Sequence, residues 1–185
     1  MKSFIEQAQF YAEYHQKPIT LYTHLVGVPL IIFSLMIFLG FFHLIVPGVM
    51  DTTLAEIATV ILLIYYFLLN WRLALVLTPI LFFLLWIAHL ISWAGPTSFA
   101  LWMFIVTFIS GWVLQLGGHY IEGKRPALVD NVWQALIAPL YLTAEIFFKY
   151  GRMKKLETAI HGEPTPVPVN TVNASVEKPS ADDTV

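Results

Sequence analysis

Three histidines, His15, His24 and His119, hold the chemistry this chain offers, because all fall at or near one membrane boundary: on the amino-terminal surface helix, at the start of the first long apolar run and at the end of the fourth. Neutral imidazole is a good ligand for Fe, Zn, Cu or Ni. Carboxylates stand close in sequence. Glu122 follows His119 by three residues and shares its face if the helix continues, and Asp130 and Glu145 are further candidates. The 185 residues contain no cysteine, which removes disulfides, zinc-thiolate sites and thiol nucleophiles. His43, His89 and His161 read as amphipathic side chains with the ring half in water. The same plain reading is open for each of the first three singly. Their common depth in a membrane is what favours a shared site.

That depth follows from the elements around them. Four apolar runs are long enough, or nearly so, to cross a bilayer: 25–46, 54–70, 73–93 and 99–117. A spanning helix needs about 20 such residues. Lys2 and Lys17 precede the first run and Arg72 lies between the second and third. Lys124, Arg125, Lys149, Arg152, Lys154, Lys155 and Lys178 follow the fourth. The connections at 47–53 and 94–98 carry no Lys or Arg. The positive-inside rule then places both termini and the 70–72 turn in the cytoplasm, in a multi-pass protein of a bacterial inner membrane or the endoplasmic reticulum. Charged residues are only 12% against 58% hydrophobic, about half the charged share usual in soluble domains.

The expected fold is all-α: a polytopic membrane helix bundle with four spans, an amino-terminal interfacial helix and a carboxy-terminal interfacial or re-entrant helix. Ser3 and Glu6 form a capping box, and Phe4, Ala8, Tyr11 and His15 recur on one helical face opposite Glu6, Gln9, Glu13, Gln16 and Lys17. Such a helix lies in the interface plane, and Pro18 is expected to end it. Residues 1–17 lack the apolar core and cleavage site of a signal peptide. Asn70-Trp71-Arg72 reads as a tight turn and Pro79 as a kink, while Trp93, Trp102 and Trp112 suit an aromatic belt. Gln134, Pro139 and Glu145 interrupt 131–148, and basic residues flank it on both sides, so it reads as interfacial. Residues 1–157 form one domain, and 158–185 read as a disordered cytoplasmic tail.

Two stretches carry a family resemblance. Tyr14-His15 followed by His24-Leu25-Val26-Gly27-Val28-Pro29 closely resembles the first signature of the 2-hydroxy fatty acid dioxygenase family, known from yeast phytosphingosine breakdown. Gln115, Gly118-His119, Glu122, Pro126-Ala127-Leu128-Val129-Asp130-Asn131, Gln134-Ala135-Leu136, Ala138-Pro139 and Glu145 resemble the second. Together they cover about residues 5–150. One position departs from the pattern: Thr20 stands where family members usually have Asn, and it hydrogen-bonds differently from an amide.

The resemblance implies a multi-pass enzyme that uses Fe(II) and dioxygen to shorten a 2-hydroxy fatty acid by one carbon, an α-oxidation step of lipid metabolism. It implies His15, His24 and His119 as the iron ligands, with Glu122 and Thr20 acting at the reacting centre. Lys124 or Arg125 is a candidate partner for the substrate carboxylate, although both also serve as topology-setting charge. Membrane lipid is an expected partner and nucleic acid is not.

Two rival classes have their own signatures. A haem-binding carrier would pair His24 with His119 and His43 with His89, but His24 and His43 are nineteen residues apart, about 28 Å along a helix. A transporter of charged substrates needs midplane charge, and the spans hold no Lys, Arg or Asp and only Glu56 near an end. A non-catalytic membrane protein is the remaining alternative.

Overall fold

The computed structural model describes residues 3–15, 17–48, 50–123 and 133–162. Six helices and one short hairpin follow in order: α1 (Phe4–Ala12), α2 (Pro18–Gly40), β1 (His43–Val46), β2 (Met50–Thr53), α3 (Leu54–Ser92), α4 (Ser98–Glu122), α5 (Trp133–Lys149) and α6 (Lys154–His161). The helices α2, α3 and α4 are long and apolar enough to cross a membrane. Their outer faces agree. On α4 only Ala100, Gly111, Gly118, His119 and Glu122 are buried, while Phe99, Trp102, Ile105, Val106, Ile109 and Val113 are exposed. An apolar surface of that extent calls for lipid, not water.

The amino-terminal helix begins as its residues dictate. Ser3 Oγ accepts from the Glu6 amide at 3.2 Å, and the Glu6 carboxylate accepts from the Ser3 amide at 2.9 Å. Phe4, Ala8 and Tyr11 are buried, as the periodicity requires, on a face that rests against α5 and α6. Pro18 does not end this helix. α1 stops at Ala12, and Pro18 takes the first position of α2, where its missing N–H forfeits no helical bond.

The first apolar run is not helical to its end. α2 finishes at Gly40, and His43–Val46 pair antiparallel with Met50–Thr53, His43 opposite Thr53, with Gly48 at φ +76° in the turn. The β-branched Ile45 and Val46 before a Pro-Gly pair suit an extended hairpin better than a last helical turn.

Helix α3 has 39 residues, about 58 Å if straight, which is twice the hydrocarbon thickness. It is not straight. Asn70 has extended dihedrals (φ −156°, ψ 98°), and its side-chain oxygen accepts from the Leu73 amide at 3.3 Å to start a second helix. His89 reaches Glu56 at 3.1 Å, so the second half returns beside the first. The expected turn at 70–72 is therefore concentrated in one residue. Pro79 leaves no non-helical backbone.

Small residues let α2 and α4 approach closely. A Cβ on Gly111 would stand 2.7 Å from Ile31 Cγ1 and 3.1 Å from the Gly27 carbonyl, and one on Gly27 would stand 3.0 Å from the Gly111 carbonyl. This contact works because neither residue has a side chain. One turn from the α4 carboxyl end, a Cβ on Gly118 would overlap the Thr23 hydroxyl and press on the His24 ring at 3.3 Å.

Most of α5 is buried. Ile137, Leu140, Tyr141 and Ala144 are almost inaccessible, and Tyr66 donates its hydroxyl to the Leu136 carbonyl at 2.8 Å. Helix α6 extends order past residue 157, where the sequence ended the domain, and the tail beyond residue 162 lies outside the described residues. His161 Nε2 meets Glu145 Oε1 at 2.7 Å and Gln9 donates to the Ala159 carbonyl at 2.7 Å, so α6 is pinned to α5 and α1. The hydrogen bond to Glu145 raises the His161 pKa above the usual imidazole value, outweighing partial burial. A raised folded-state value means that the pairing stabilises fully below about pH 6.5 and is lost as pH rises through the folded pKa. The protection of α6 amides, taken relative to their intrinsic base-catalysed exchange, is expected to fall across that rise, and that of a Glu145→Gln variant to show no such fall.

Candidate metal centre

His15 lies three residues beyond the end of α1, His24 lies near the start of α2, and His119 lies in the last turn of α4. The fold brings them to one point. One ligand nitrogen from each lies within 4.8 Å of the others, and among the described residues no other group of His, Cys, Asp or Glu converges in this way. His24 Nε2 and His119 Nε2 are 3.1 Å apart. The His15 ring stands edge-on to both, with centroids at 4.5 and 5.1 Å. His24 is 1% exposed and His119 6%.

The side chains fit a metal ion on three counts. First, His15 Nδ1 lies 2.8 Å from the Tyr11 carbonyl, so Nδ1 carries the proton and Nε2 presents its lone pair. That Nε2 is buried with no protein partner. Second, burial pushes the His15 pKa down to about 4, which keeps the ring in the neutral, ligating form. Third, nitrogens held at about 2.0–2.1 Å by one ion stand about 3.0–3.4 Å apart for angles of about 90–110°, which matches the His24–His119 separation. Tyr11 also stacks on His15 with centroids 4.1 Å apart and planes at 7°.

Thr20 and Glu122 are joined to each other at 2.5 Å between Thr20 Oγ1 and Glu122 Oε2. The same carboxylate oxygen accepts from the Lys17 amide at 3.0 Å, and the Lys17 ammonium donates to the Ile121 carbonyl at 2.7 Å. Together these bonds tie the start of α2 to the end of α4 and hold His24 against His119. Thr20 is fully buried, and neither residue lines the cavity described next. Lys124, Arg125 and Asp130 lie outside the described residues. Glu145 pairs with His161 and is not one of the converging groups.

An apolar cavity of about 270 Å³ opens from the histidines between α2, α4 and α5. Its lining runs along α2 from His24 to Leu35, eleven residues or about 16 Å, half the hydrocarbon thickness. A wider basin of about 900 Å³, lined by Lys17, Glu145, Lys149 and His161, reaches His15 from another side. Residues that the sequence had not assigned to the site also enter the cavity wall. Trp112, expected in an aromatic belt, faces the cavity, as do Gln115 and Gln134. The two glutamines lay in the second signature, but only helix rotation tells which face is inward.

The haem pairings do not survive this geometry. His24 and His119 are in direct nitrogen-to-nitrogen contact, too close for iron bound axially on both sides. His43 and His89 flank the Trp93 ring at 5.5 and 4.9 Å and face the carboxylates of Asp51 and Glu56.

A family described as 2-hydroxy-palmitic acid dioxygenase Mpo1-like matches residues 1–150. The chain belongs to this family. Within the Mpo1-like family, the 2-hydroxy-palmitic acid dioxygenase MPO1 of Saccharomyces cerevisiae is 34% identical over 156 residues, covering 83% of this chain and 85% of the yeast protein. No solved structure matches the chain. The match takes in all three histidines of the centre and the cavity-lining helices α2, α4 and α5.

Proposed function

We propose that this Mpo1-like protein is an Fe(II)-dependent dioxygenase that shortens 2-hydroxy fatty acids by one carbon within the membrane. The carrying observation is three imidazoles converging at the head of an apolar cavity, in a chain related to a 2-hydroxy-palmitic acid dioxygenase. Iron held by His15, His24 and His119 would supply the redox reactivity toward dioxygen that zinc lacks. The overall reaction balances without a reductant. A 2-hydroxy acid and one dioxygen give the acid one carbon shorter, carbon dioxide and water, so dioxygen takes every electron the substrate loses.

The chain's own residues bind and orient. The cavity takes the alkyl tail along α2 and keeps water from it. The Tyr11 carbonyl fixes the His15 tautomer, and the Thr20–Glu122–Lys17 clamp holds the two helices that carry His24 and His119. Thr20 and Glu122 are thus positioning residues, and Lys124 and Arg125 remain candidates for the carboxylate. Each half of α3 crosses the membrane once, for four crossings with both termini in the cytoplasm.

The experiment is incubation of anaerobically purified, Fe(II)-loaded protein with a labelled 2-hydroxy acid under air, followed by mass spectrometry. Chelation stops formation of the shortened acid, and Fe(II) restores it better than Zn(II). Equal turnover without iron, or no shortened product with it, rejects the proposal.

A further inference from the structure

Buried polar atoms in folded proteins are nearly always paired, since each one left alone is unfavourable by an amount that can rival a lost hydrogen bond. Among the described residues five side-chain atoms are buried without a partner: His15 Nε2, Trp112 Nε1, Gln115 Oε1, His119 Nδ1 and Gln134 Oε1. All five belong to residues lining the one apolar cavity. The histidine nitrogens belong to the metal centre already described. The Trp112 indole N–H and the two amides do not; the indole is a donor, and the two amide oxygens are the orphaned acceptors outside the centre.

Their placement is informative. Gln115 precedes His119 by one helical turn, so its amide lies about 6 Å further along the cavity on the same face of α4. Gln134 is only 4% exposed and approaches from the start of α5 across the cavity. An unpartnered amide oxygen requires a donor. An ionised fatty acid has none, and its alkyl chain has none. A 2-hydroxyl supplies one O–H beside the carboxylate, one bond into the tail from the headgroup.

Building on the proposed dioxygenase reading, we infer that Gln115 and Gln134 form the specificity subsite for the 2-hydroxyl. The two unpartnered amide oxygens share the hydroxyl proton between them, so that each contributes to holding the 2-hydroxyl and neither is needed for the carboxylate. Taking the proton in this way leaves the oxygen lone pairs for the histidine end. Selection for the hydroxyl therefore exists in the protein before any metal binds.

The test is competition binding to metal-free, detergent-solubilised full-length protein between 2-hydroxyhexadecanoic acid and hexadecanoic acid, so that micelle partition affects both alike. Wild type should favour the hydroxy acid by about 10-fold, the scale of one intramolecular hydrogen bond plus relief of a buried orphan. Gln134→Met and Gln115→Met should each bring the ratio toward unity by weakening the hydroxy acid alone, while Gln134→Glu, which keeps an acceptor, should retain the preference. Hexadecanoic acid serves as the folding control, because an unfolded variant loses both ligands. A preference that persists in the double Met variant, or is missing from wild type, overturns the inference. Neither outcome depends on turnover, so a failure of the dioxygenase reading is seen separately, in the iron-loaded assay.

Discussion

Replacing His24 or His119 with alanine is expected to abolish both iron retention and turnover, whereas His43→Ala and His89→Ala keep both. Wild type should hold roughly one iron per chain, and the two ligand variants below about a tenth of that, since loss of even an outer-shell partner weakens metal binding 10- to 100-fold. The contrast follows from geometry. His24 and His119 face each other at 3.1 Å beside His15, while His43 and His89 lie against Asp51 and Glu56 across Trp93. His24 is fully buried, so its truncation also leaves a void, and circular dichroism must accompany elemental analysis. Iron lost from the His43 or His89 variants, with the fold intact, would place the metal elsewhere.

The unsubstituted acid should be oxidised about 10⁴-fold more slowly than its 2-hydroxy counterpart in kcat/KM, because a site built around a polar group rejects the analogue that lacks it. The discrimination combines an unfilled position at the three histidines with amide oxygens left unpaired in a dry cavity. Parallel assays of both acids under air decide it. Comparable rates would mean that the tail alone governs recognition.

The histidine triad was legible because charge distribution fixes membrane depth, and depth placed His15, His24 and His119 on one plane. The packing that completes the site was not. Whether Gln115 faces a cavity or lipid depends on the rotation of α4, which is set by the Gly27–Gly111 contact, and a helix this uniformly apolar has no periodic stripe to reveal it. Trp112 misled for the same reason, as tryptophan serves both belts and interiors. Asn70 was readable as a turn, yet its single-residue reversal comes from an asparagine that caps the helix after it. Thr20 and Glu122 were expected at the reacting centre from the family resemblance, and the hydrogen bond that joins them across the two helix ends was not legible from their spacing.

Of the three proposed ligands, His15 has a different standing from the other two. His24 and His119 are built into long helices locked together by glycines, but His15 hangs from the nine-residue α1, which rests on α5 and α6. Occupancy of the centre and docking of α1 are therefore thermodynamically linked, and the linkage is reciprocal. An ion bound to all three histidines fastens the amino terminus to the bundle, and whatever lifts that short helix lowers affinity for the ion by the same factor. With the proposed metal bound, the amino-terminal helix would work as a latch whose strength is set by the ion.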